Sequence, residues 1–91
     1  MTILSKEELK KIGFKSIGEN CLISSKASFY GADRISIGNN VRIDDFCVLS
    51  AGAGGIEIGN FIHIAVYTSL IGGGKITLAD FSNISSRVSR S

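Results

Sequence analysis

Large apolar residues recur every six positions along most of this 91-residue chain: Ile17, Ile23 and Phe29; Ile37, Ile43 and Leu49; Ile58, Ile64 and Leu70; Leu78 and Ile84. An amphipathic helix repeats its apolar face at spacings of three and four, and a half-buried strand alternates at two, so neither produces a period of six. Four positions after most of these residues stands a second one, usually smaller: Cys21, Ala27, Val41, Cys47, Ile62, Thr68 and Val88. Each hexad therefore offers two side chains to one interior.

The hexads group into longer units that start at Ile17, Ile37, Ile58 and Leu78, a period of 20, 21 and 20 residues. A repeat of this length marks a stacked architecture in which each unit buries its face against the next. Three six-residue strands account for about 18 residues of a unit, and the surplus falls at one corner, in Gly31-Ala-Asp-Arg34, Gly52-Ala-Gly-Gly55 and Gly72-Gly-Gly-Lys75. Inward isoleucines 35, 56 and 76 follow these corners. Gly18, Asn20, Gly38, Asn40, Gly59 and Asn60 tolerate left-handed backbone and are expected to carry it at the tight bends. The pattern predicts an all-β fold, a parallel β-helix of about three and a half triangular coils over residues 17–91.

Residues 1–16 read differently. Ser5-Lys-Glu-Glu8 forms a capping box, and Leu9 and Ile12 share a helical face, so a short helix over 5–12 is expected to cover the apolar end of the first coil. At the other end, position 90 is due for an inward aliphatic residue and holds Arg90. The expectation is a pattern cut off mid-coil, leaving a parallel edge that belongs to a longer protein or is covered by another chain.

Composition narrows the function. The net charge of +2 comes from ten basic and eight acidic residues spread along the chain, without the basic stripe that nucleic acid requires. No apolar run reaches the roughly 18 residues of a membrane span, and charges stand where a signal peptide has its apolar segment. A cytoplasmic location is expected, with no membrane or nucleic-acid partner. Cys21 and Cys47 lack metal-ligand spacing and are expected to be buried thiols; one histidine adds no support for a metal.

The glycine runs invite a nucleotide reading, which the register rejects. A Walker loop needs serine or threonine after Gly-Lys, and Gly74-Lys75 is followed by Ile76. Each run precedes a strand, so there is no helix amino terminus for a phosphate.

His63 stands between inward Ile62 and Ile64, so alternation turns its ring outward. Equivalent residues of successive coils stack about 4.8 Å apart. This puts Leu22 and Arg42 below His63 and Asn83 above it, with Asp44 and Asp45 following Arg42 on the coil beneath. Imidazole titrates near neutrality, and beside a carboxylate and an amide it can act as general base toward a hydroxyl or amine. A solvated surface histidine is the alternative.

The hexads of residues 17–89 closely resemble those of the hexapeptide-repeat acyltransferases, whose left-handed parallel β-helix supplies the handedness. His63-Ile-Ala-Val-Tyr67 with Gly72-Gly73 resembles the His-Ile-Ser-Pro-Gly segment of sugar acetyltransferases, in which the histidine lies beside the thioester. Arg42-Ile-Asp-Asp-Phe-Cys47 is similar to the segment that holds the sugar acceptor, with Asp44 at the acceptor-binding place. The resemblance implies acetyl-CoA as acyl donor, a sugar or similar small acceptor, and a homo-oligomer, a trimer with sites between neighbouring β-helices. His63 is then the candidate catalytic residue, and Asp44, Asp45 and Asn83 the candidate acceptor-binding residues. Val66 and Tyr67 replace the family's proline and glycine, and Gly74-Lys75-Ile76 stands where a second histidine is usual. The alternative reading is thus a truncated, catalytically incomplete β-helix with a structural or oligomerisation role.

Overall fold

The computed structural model describes residues 2–84 and the strand 89–90. The expectations for Val88, and for the direction of the Arg90 side chain, lie outside what it describes. Helix α1 spans Lys6–Ile12. Ser5 Oγ accepts from the Glu8 N–H at 3.2 Å while Glu8 Oε1 accepts from the Ser5 N–H at 2.9 Å. These bonds satisfy amide donors at the helix start, and Gly13, at φ 82°, ends the helix in a left-handed cap. Leu9 is buried in the core, and Leu4, Ile12 and Phe14 pack against it, so the helix closes the first coil as expected.

Twelve short strands follow among the described residues: β1 (Ser16–Ile17), β2 (Leu22–Ile23), β3 (Ser28–Tyr30), β4 (Ile35–Ile37), β5 (Val41–Ile43), β6 (Val48–Ala51), β7 (Ile56–Ile58), β8 (Ile62–Ile64), β9 (Ser69–Gly72), β10 (Ile76–Leu78), β11 (Asn83–Ile84) and β12 (Ser89–Arg90). Every third strand pairs in parallel, giving sheets in the orders β1-β4-β7-β10, β2-β5-β8-β11 and β3-β6-β9-β12. The register joins Ile35 to Ile56 and Ile76, Ile43 to Ile64, and Leu49 to Leu70. It is the predicted β-helix. Ile23, Ile43, Leu49, Ile64 and Leu70 are fully buried, as are Cys47 and Thr68 from the second hexad position. Arg90 pairs with Leu70 in the backbone register, the place the hexad count assigned to it.

The surplus residues form the corner between the third sheet and the first. Gly31, at φ 68°, opens a 3-10 turn over Ala32–Arg34. The Arg34 guanidinium then reaches the coil above, donating from Nε to Gly52 O and from a terminal nitrogen to Ala51 O, both at 2.9 Å.

The bends before β2, β5, β8 and β11 meet the sequence expectation at Asn20 and Asn40 and depart from it elsewhere. Left-handed backbone falls at Asn20, Asn40, Phe61 and Phe81, while Gly18, Gly38, Gly59 and Asn60 are not left-handed. The glycines serve close approach instead. A Cβ on Gly38 would lie 2.5 Å from Gly59 O and 2.7 Å from Asn60 Oδ1. That crowding arises because a polar ladder runs up this bend: Asn39 Oδ1, Asn60 Oδ1 and Asp80 Oδ1 each accept, at 2.8 Å, a backbone N–H from the coil below, from Glu19, Asn39 and Asn60 in turn. Gly38→Ala is therefore expected to destabilise the fold by about 1–3 kcal/mol. Gly73→Ala, whose Cβ meets nothing within 4 Å, is expected to stay within about 0.5 kcal/mol. Urea denaturation of the two variants beside wild type measures the contrast.

Candidate active site

The second sheet turns one column of side chains outward: Leu22, Arg42, His63 and Asn83, paired in strict register. Strand β8 fixes His63 because Ile62 and Ile64 on either side are buried, which leaves the imidazole on the outer face with 44% of its side chain exposed. Asp44 follows β5 two residues after Arg42, which keeps both on the same side of the strand. Its carboxylate rises toward the next coil, where Oδ2 lies 2.9 Å from His63 Nε2. Arg42 Nε donates to the other oxygen, Oδ1, at 2.8 Å. Asp44 is thus held between a guanidinium and an imidazole, with only 12% of its side chain exposed.

Asp45 turns away from this group. Its Oδ1 accepts from the hydroxyl of the fully buried Ser24, whose oxygen also accepts the Lys26 N–H at 3.0 Å. Asn83 is exposed and is the register partner of His63 on the coil above. The column thus brings His63, Asp44 and Asn83 together, while Asp45 braces the corner beneath. Arg42 entered the sequence reading only as a column neighbour. The signal for its role was the Arg-x-Asp spacing, which places a guanidinium and a carboxylate side by side below a histidine.

Stacked aromatic pairs flank the column. On one side Phe61 and Phe81 lie with centroids 5.1 Å apart and planes 5° from parallel. On the other, Phe46 and Tyr67 lie 5.4 Å apart, with the Lys26 ammonium 5.5 Å from the Phe46 centroid. All four aromatics have positive φ, between 56° and 65°. That conformation costs about 1–3 kcal/mol for a bulky residue, and stacking returns about 0.5–1.5 kcal/mol per pair.

Other groups stand apart from this site. Lys75 is paired with Glu57 at 3.0 Å. Cys47 is buried, and burial pushes its thiol up from the usual range; its Sγ donates to Ala65 O at 3.0 Å. Cys21 is only half-buried, less than the sequence suggested, because the first coil has the helix rather than a full coil beneath it. Among the described residues there is no group of three or more potential metal ligands, and no helix is long and apolar enough to cross a membrane.

Burial disfavours the charged form of Asp44, but hydrogen bonds from His63 and Arg42 and their charges outweigh it and hold the carboxyl below its ordinary value. A carboxyl lowered on folding adds stability that is complete above its unfolded pKa and is lost as the pH falls through the folded one. Asp44→Asn removes that contribution. Chemical denaturation between pH 7 and pH 3 is expected to give a shallower acid-side loss of stability for Asp44→Asn than for wild type.

No family model matches the chain. It is 68% identical over 89 residues to the dTDP-4-amino-4,6-dideoxy-D-glucose acyltransferase of Escherichia coli, a match that covers 98% of this chain and 46% of that protein. A crystal structure of a serine-to-cysteine variant of AntD, an N-acyltransferase from Bacillus cereus, in complex with dTDP-4-amino-4,6-dideoxyglucose and coenzyme A, superposes with a TM-score of 0.90 at 57% identity. That match covers 97% of this chain and 46% of AntD. AntD in complex with dTDP and 3-hydroxybutyryl-CoA gives a TM-score of 0.83 at 58% identity, over 91% of this chain and 44% of the other. The chain thus spans about half the length of the relatives it matches. Sequence identity and the parallel β-helix agree: over nearly its whole length the chain matches about half of these acyltransferases in both sequence and fold.

Proposed function

We propose that the outer face of the second sheet forms the acceptor side of a site for N-acyl transfer from an acyl-CoA, such as acetyl-CoA, to the amino group of a dTDP-linked 4-amino-4,6-dideoxy sugar. The observation that carries this reading is the outward His63 imidazole held by the Asp44 carboxylate, at 2.9 Å. The relatives supply the substrate class: one is a dTDP-4-amino-4,6-dideoxy-D-glucose acyltransferase, and another binds that sugar nucleotide with coenzyme A.

In this reading the acceptor amine lies against His63, with Asn83 and Asp44 around it, while Asp45 braces the corner beneath through Ser24. The amine nitrogen attacks the thioester carbonyl carbon, and the C=O pair moves to oxygen, where a backbone amide stabilises the charge. His63 takes the proton from the attacking nitrogen. Collapse of the tetrahedral intermediate breaks the carbon–sulfur bond, and the proton passes from imidazolium to the departing sulfur, giving the amide and free CoA. The mechanism needs no nucleophilic serine or cysteine, and Cys47 and Ser24 are buried in the coil. The site is completed by a neighbouring copy in a trimer, the arrangement the family resemblance implies. The second reading, a β-helix without catalysis, is favoured by Lys75, which occupies the place of the family's second histidine and is engaged by Glu57.

Release of free thiol from acetyl-CoA tests the proposal. Release that depends on added dTDP-4-amino-4,6-dideoxyglucose is expected, and His63→Ala is expected to lower kcat by about 10²–10⁴-fold, the range for loss of a general base. Full rate in His63→Ala removes His63 from that role. No turnover, together with no heat on titration with CoA at millimolar concentration, sustains the second reading.

A further inference from the structure

We propose that Arg42 is a positioning residue that sets the tautomer of His63, directing Nε2–H into Asp44 and leaving Nδ1 as the basic nitrogen. The role of His63 as base rests on the function proposed above; the tautomer does not.

The inference follows from the two oxygens of one carboxylate. Arg42 Nε donates to Asp44 Oδ1 at 2.8 Å, which fixes the rotation of the carboxylate about its side chain. Its second oxygen, Oδ2, is thereby presented to His63 Nε2 at 2.9 Å. An ionised carboxylate has only lone pairs to offer, so the nitrogen facing it must carry the hydrogen. Arg42 also keeps Asp44 ionised, because a guanidinium never gives up its charge in this pH range. Neutral imidazole carries a single N–H, and with Nε2 committed to Asp44 the lone pair stays on Nδ1. Among the described residues, Nδ1 makes no hydrogen bond of its own. The nitrogen that accepts a proton is then the one turned away from Asp44, while Asp44 steadies the imidazolium that forms.

The chain holds one histidine, so long-range ¹H–¹⁵N correlation spectra of labelled protein report this ring alone. At a pH where the ring is neutral, with no substrate present, wild type is expected to hold the Nε2–H form over Nδ1–H by about tenfold or more, as a charge-assisted hydrogen bond sustains. A short histidine peptide measured alongside supplies the reference ratio. Arg42→Met is expected to move the ratio toward the peptide value with the amide spectrum otherwise preserved, and Arg42→Lys, which keeps a charge without the directed Nε–H, to fall between. Asp44→Asn, whose amide can donate to Nε2, is expected to reverse the preference. A wild-type ratio equal to the peptide's, or an Arg42→Met ratio equal to wild type, overturns the proposal. Should Arg42→Met fail to fold, the wild-type ratio and Arg42→Lys decide it, with full wild-type excess in Arg42→Lys counting against a directed Arg42 contact. Because the readout needs no acyl transfer, its failure is distinct from failure of the proposed activity.

Discussion

Parallel stacking is the constraint on which the rest of this molecule depends. Backbone hydrogen bonds between coils hold equivalent residues about 4.8 Å apart, so whatever one coil places at a position, the next must accommodate directly above it. Inward, this superposes Ile35, Ile56 and Ile76 in one buried column. At the bends it admits no Cβ at Gly18, Gly38 and Gly59, because carbonyls and the Asn39, Asn60 and Asp80 side chains fill the space. On the outer face it lifts the Asp44 carboxylate to His63, nineteen residues on. Core, bend and candidate site are three faces of one stacking rule.

Stacking also makes sense of the left-handed aromatics. Asn20 and Asn40 take that conformation cheaply in the lower coils, whereas Phe61 and Phe81 occupy the same bend above them and stack on each other. A bulky residue with positive φ is tolerated here because its neighbour one coil away repeats the same geometry and shares the ring face.

The columns were legible in the sequence because the hexad carries them: a period of six, with a 20- or 21-residue unit, leaves few alternatives to a parallel coil. The helix cap at Ser5 and Glu8 was legible for a similar reason, since its residues act on neighbours three apart. The bends were misassigned at Gly18, Gly38, Gly59 and Asn60, because glycine there answers contacts with the next coil and not its own backbone angles. Asp44 and Asp45 could not be told apart in sequence either. Both follow the end of β5, and there one meets His63 on the coil above and the other Ser24 on the coil below. Arg42 was placed in the column, and its Arg-x-Asp spacing brings it beside Asp44, but the rotamer that closes the contact is set in the folded coil.

The account rests on the second-sheet face being the place where the acceptor binds. Chemical-shift mapping of the labelled chain during titration with dTDP-4-amino-4,6-dideoxyglucose tests this most directly. The account predicts shifts centred on residues 42–45, 63 and 83, diminished for dTDP alone at His63. Shifts confined to the other two sheets, or none at millimolar sugar nucleotide, would contradict it.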